Sequence, residues 1–160
     1  MAPPFSIREV GGIRIDARQW PLVVWEQPER PTSDAVTVQA LACLKELWEG
    51  TPRGEKSFMV TDLSRARGST ANSRKIAAEF MAQNGELQKR ASLGGALIVT
   101  SSVMRGVITA VFWIRPPSQP TKIASTRDEA ILYGLDALEA AGPLPSHLQA
   151  LRKETRAGAG

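Results

Sequence analysis

Short β-branched and aromatic runs alternate with stretches of helical spacing along most of this chain, and that alternation limits the fold more than any single motif does. Ile13–Asp16 alternates apolar and polar residues, as a half-buried strand does. Leu22–Glu26 follows after Pro21 and is β-branched and aromatic, so it reads as a second, more buried strand. The connection between them is short, which predicts an antiparallel hairpin. Pro28 and Pro31 then break the strand, and Thr32 or Ser33 can cap a helix starting near Asp34 with Val36, Ala40, Cys43, Leu44 and Leu47 on one face. Residues 58–63 and 96–100 are short apolar runs that suit central strands. Between them a helix begins among Ser69, Thr70, Asn72 and Ser73, with Ile76, Ala77, Phe80, Met81, Asn84 and Leu87 on one face. Residues 103–114 suit a strand by propensity, yet after the Ser101-Ser102 pair their spacing favours a helix. An edge strand at 121–125 and a helix opened by the capping box Thr126-Arg127-Asp128-Glu129 complete the order β-β-α-β-α-β-α-β-α. The expected fold is therefore a single α/β domain: a mixed, mostly parallel sheet of about five strands with an N-terminal hairpin and about four helices.

With 160 residues the chain fits one domain, placed at residues 5–142. Residues 143–160 hold a weakly amphipathic turn and end in Gly and Ala, which reads as a flexible tail. One cysteine, Cys43, excludes an internal disulfide and a thiolate zinc site, and one histidine, His147, leaves little for histidine-based catalysis or metal binding. No metal and no organic cofactor is expected. Cys43 lies on an apolar helical stripe, where an inert buried thiol is the expectation. The net charge is +4, but the bases are scattered and the densest cluster is Arg152, Lys153 and Arg156. That pattern suits a solvated surface, so a nucleic-acid partner is not expected. No apolar run approaches the roughly 20 residues of a membrane span, and the first residues lack the apolar core of a signal peptide, which leaves a cytoplasmic protein as the expectation.

No phosphate-binding glycine loop, paired-histidine metal motif, paired-cysteine motif or nucleophile elbow occurs. In α/β sheets, ligands gather beyond the C-terminal ends of the strands. Two loops lie there. The first carries Asp62, Ser64, Arg65, Arg67, Ser69 and Thr70; the second carries Ser101, Ser102 and Arg105. Each joins hydroxyls and arginines to a helix start, where anions are favoured. An anion- or partner-binding rim is one reading, and ordinary caps on solvated loops are the other. Asp62, Arg67 and Ser102 are the residues a small enzyme or ligand binder would use, although no nucleophile is paired with a base. Trp113, beside Phe112, becomes an interface anchor if it points away from the core.

The stretch Phe58-Met59-Val60-Thr61-Asp62-Leu63-Ser64, running into a polar loop and a helix, resembles the central motif of STAS and SpoIIAA-like domains of the anti-sigma-factor-antagonist type. The element order from Ile13 to Ala141 and the segment from Ala96 to Ser102 resemble that family too. The resemblance implies a non-enzymatic bacterial regulatory module that binds a protein partner, a regulator or a kinase-type protein, with self-association left open. Some members are switched by phosphorylation at the start of the helix after this strand, which here falls on Ser69 or Thr70. Gly68-Ser69-Thr70 stands where the family has Asp-Ser-Ser-Gly. A related SpoIIAA-like branch is associated with lipid or hydrophobic ligands.

Overall fold

The computed structural model describes residues 2–159, which form one six-stranded sheet with six helices. The strands are β1 (Ile7–Val10), β2 (Ile13–Asp16), β3 (Leu22–Glu26), β4 (Ser57–Asp62), β5 (Ser92–Ile98) and β6 (Thr121–Ala124), and they lie side by side in that order. The first two pairings are antiparallel and the remaining three are parallel. The mostly parallel sheet and its antiparallel start match the expectation, but with six strands and six helices in place of about five and four.

The helices are α1 (Asp34–Glu49), α2 (Ala71–Gln83), α3 (Gly85–Ala91), α4 (Ser102–Ile114), α5 (Arg127–Ala141) and α6 (Ser146–Gly158). Side-chain oxygens cap four of them at Ser33, Thr70, Ser101 and Thr126, each accepting from a backbone N–H three residues on. At α5 the Glu129 carboxylate also reaches back to accept from the Ser125 N–H, one residue before the Thr126 cap, a variant of the capping box.

Alternation along β3 sets the two faces of the sheet. Val23 and Trp25 point to one core, with Ile13 and Ile15 of β2, Leu41, Leu44, Leu47 and Trp48 of α1, and Ala91 of α3. Leu22 and Val24 point to the other, with Phe58 and Val60 of β4, Ala96 and Ile98 of β5, and Ala130, Ile131, Leu135 and Leu138 of α5. Cys43 is a free thiol buried in the first core.

Three departures have local causes. β1 pairs with β2 around Gly11 and Gly12, whose positive φ values (54° and 91°) allow the tight turn. Its own residues are only half-buried or exposed, so its periodicity is faint. The long helix after the Asp62 loop divides at Asn84, whose N–H and side-chain amide both donate to the Phe80 carbonyl, and α3 then runs straight into β5. β5 starts at Ser92, not Ala96, because Gly94 and Gly95 belong to the strand. A Cβ on Gly94, at φ 129°, would collide with the Pro120 carbonyl oxygen, and one on Gly95 would lie 2.8 Å from the Met59 carbonyl oxygen.

Residues 143–160, expected as a flexible tail beyond a boundary at 142, include α6. Leu144 and Leu148 are buried in the second core, which therefore extends past that boundary. Arg152 ties α6 to α5 through Asp136 at 3.0 Å and Glu139 at 2.7 Å.

Candidate functional site

At the C-terminal ends of the parallel strands the chain leaves strand geometry before each following helix begins, and a pocket of about 360 Å³ opens there. Trp25, Leu63 and Val99 stand at the ends of β3, β4 and β5 and give it an apolar floor together with Ile13. Leu41 of α1 and Ala77 of α2 form one side. Met104 and Ile108 of α4 form the other. The mouth is hydroxyl-rich, with Ser64 and Ser69 from the first sequence-identified loop and Thr100 and Ser101 from the second. The two loops thus do share one rim, as the topology of a parallel sheet requires.

The rim is nonetheless divided. Asp62 and Arg65 face a neighbouring cleft with Gly12, Gln27 and Arg127. Asp62 accepts from the Ser64 N–H at 2.9 Å, and Arg127 reaches both Asp62 (3.4 Å) and Glu26 (3.1 Å). Glu26 and Asp62 are register partners on parallel strands, so the first residue of α5 bridges two adjacent like charges. Arg67 turns outward to Glu29 at 2.8 Å. Arg105 donates to the carbonyls of Val99 and Thr100, which fastens the start of α4 to the end of β5. Ser102 is the first residue of α4 and is exposed. Asp62, Arg67 and Ser102 are joined by no hydrogen bond or ion pair among the described residues.

The charged residue that lines the pocket is Arg74. Its guanidinium donates to the Ser69 carbonyl at 2.6 Å and to Ser69 Oγ at 3.3 Å. Sequence reasoning placed Arg65 and Arg67 beside the hydroxyls and missed Arg74. The signal was its position one turn into α2, which carries a long side chain back toward the helix start. The two candidate hydroxyls also differ. Thr70 Oγ1 accepts from the Ser73 N–H at 3.0 Å and is the cap of α2, whereas Ser69 is exposed at the pocket mouth.

Trp113, expected as an interface aromatic, is 85% exposed. It sits on a helix with no buried residue, although Val103, Met104, Val107, Val111 and Ile114 are all apolar. His147 bonds the Trp20 carbonyl through Nε2 at 2.9 Å and lines neither cleft. Apolar walls, hydroxyls and one arginine suit the holding of a group, with no nucleophile–base pair among the described residues lining the pocket. Among the described residues, no three His, Cys, Asp or Glu side chains converge as metal ligands, and no helix is long and apolar enough to cross a membrane.

The sequence matches no family model. No curated protein matches it. Among solved structures it is similar to an uncharacterized protein of the DUF3478 family with a SpoIIAA-like fold from Shewanella loihica PV-4. The TM-score is 0.59 at 14% sequence identity, with 81% of this chain and 98% of that chain covered. The fold of this chain is SpoIIAA-like, in agreement with the resemblance carried by residues 58–64.

Proposed function

We propose that this chain is a non-enzymatic regulatory binding module of the anti-sigma-factor-antagonist type, acting in the bacterial cytoplasm on a protein partner of regulator or kinase type. The observation that carries the reading is the shared pocket mouth: Ser69 and the wall formed by α4 border the same hollow. A charge added at Ser69 therefore changes the surface a partner meets without touching either core. Ser69 is the favoured modification site over Thr70, because its hydroxyl does not cap α2. A phosphate there would carry close to two negative charges beside the Arg74 guanidinium. The rim residues Ser64, Ser101 and Ser102 then supply hydrogen-bond partners, and Trp113 an anchor.

The test compares wild type, Ser69→Ala and Ser69→Glu as baits in extracts of the native host, with circular dichroism to verify the fold. Ser69→Glu is expected to stay folded and to lose or exchange a partner that wild type and Ser69→Ala both retain. Identical capture by all three folded baits refutes control through this loop.

A second reading has one observation in its favour. The pocket volume of about 360 Å³ falls within the range of roughly 300–1,000 Å³ usual for small-molecule sites, and its walls are apolar. In this reading a small hydrophobic or lipid-like molecule occupies the hollow, and Trp25 fluorescence would report its entry. Native mass spectrometry of the purified protein separates the two readings.

A further inference from the structure

We propose that α4, together with the pocket mouth beside it, docks an acidic amphipathic helix of a partner protein. This rests on the reading of the chain as a protein-binding module and names the chemistry of what it binds.

α4 has the composition of a core helix and the exposure of a surface one. Val103 is 73% exposed, Val107 and Val111 are each 52% exposed, and Ile114 is 87% exposed. Spacings of three and four put Val103, Val107, Val111 and Ile114 along one stripe. Met104 and Ile108 continue that stripe into the pocket. The result is an apolar ridge flanking a hollow, the relief that an amphipathic helix fills with side chains at matching spacing.

Charge selects among occupants. From Leu87 to Arg127 the chain contains no Asp and no Glu. Arg115 closes α4 and enters no ion pair among the described residues, Arg105 bonds only backbone carbonyls, and Arg74 across the pocket bonds only Ser69. Apolar surface bordered by three arginines without carboxylate partners is complementary to a helix with an apolar stripe and acidic flanks. A second copy fits less well. A two-fold pairing through α4 would bring Arg105 and Arg115 of one chain onto those of the other, with no acid in the segment to offset them. A lipid surface fits less well because part of the stripe turns inward to the hollow, whereas a bilayer meets a helix along an outward face.

The test uses fluorescein-labelled model peptides of about 18 residues, five helical turns. One has a leucine stripe flanked by Glu, and the other has the same stripe flanked by Lys. Fluorescence anisotropy is read with the full chain at low and high salt. The Glu peptide is expected to bind at least about ten-fold tighter than the Lys peptide, with the preference shrinking at high salt. Val107→Glu and Val111→Glu should each weaken it by about ten-fold or more, and Arg115→Glu should erase the Glu-over-Lys preference. α4 buries nothing in either core, so these variants should keep the wild-type melting temperature, which is measured alongside. Equal binding of the two peptides, or binding of neither, overturns the proposal. So does a concentration-dependent dimer in analytical ultracentrifugation that Val107→Glu abolishes, or capture by phosphatidylglycerol vesicles that Val107→Glu abolishes while the peptides stay unbound. Failure here with Ser69-dependent partner capture intact leaves the binding-module reading standing; loss of both removes it.

Discussion

Replacing Leu148 by alanine is expected to lower the stability of the whole domain, although the residue lies only a dozen positions from the end of the chain. Leu148 is 0% exposed and belongs to the core cluster that includes Leu135, Leu138 and Leu144. Removing a buried leucine side chain costs about 2–5 kcal/mol, and the figure is smallest where surrounding structure can settle into the space. A terminal helix can shift more easily than a central strand, so about 2–3 kcal/mol is the expected loss here. Arg152 limits that shift, because it fastens α6 to Asp136 and Glu139 of α5. For a domain of roughly 150–250 residues each kcal/mol moves Tm by about 2–4 °C, which gives a fall of about 4–12 °C. Thermal melting followed by circular dichroism reads it, and urea titration should show a lower midpoint with an unchanged slope. Lys153→Ala, one turn on and exposed, is the control and should change stability by less than about 0.5 kcal/mol. If Leu148→Ala melts with Lys153→Ala and wild type, α6 is not docked and residues 143–160 behave as a loose tail.

Two further outcomes are expected. The Arg18 side chain donates to both carboxylate oxygens of Asp16 and holds that carboxyl below its ordinary value of 3.8. Its contribution is therefore present above that value and lost as pH falls through the lower folded-state value, so the urea-measured gap between wild type and Asp16→Asn should be smaller at about pH 3 than at about pH 6; an equal gap at both refutes the pairing. Thr70→Ala removes the cap of α2 and should cost about 0.5–2 kcal/mol, with Thr70→Ser retaining most of it. Wild-type melting of Thr70→Ala would show that the cap contributes nothing.

Much of the fold was legible in local chemistry. Period-two and period-3.6 patterns report which side of an element meets a core, so β2, α1 and α5 could be assigned from spacing, whereas β3 and β4 were legible as β-branched or apolar runs bounded by breakers. Capping types mark where a helix can begin, so the starts at Thr32 or Ser33, at Ser101 or Ser102 and at Thr126 were readable for that reason, and the structure selects Ser33 and Ser101 from the first two pairs. Residues 103–114 show the limit of this. Spacing identified the helix, and only the structure shows that its apolar stripe finds no partner within the chain. Helical periodicity records that a face is apolar, not what lies against it.

The candidate site divides along the same line. The loops after β4 and β5 share a rim because these strands are parallel neighbours; the alternation of elements implied a parallel sheet but not that adjacency. Which side chains turn into the hollow does not follow, because a loop's direction depends on partners remote in sequence. Arg67 leaves the rim for Glu29, and Arg65 lies with Asp62 in the neighbouring cleft. Arg74 enters because the first turn of α2 aims it back at Ser69. The bridging of Glu26 and Asp62 by Arg127 spans 101 positions on one side and 65 on the other. α6 is the sharpest case. Its polar composition and Gly/Ala ending suit a solvated tail, and its own sequence carries just enough apolar surface to seal a core that the rest of the chain has already built. Local propensity determines what an isolated segment prefers. Burial against surface assembled from distant residues determines what it becomes, and that surface exists only after the sheet and α5 have come together.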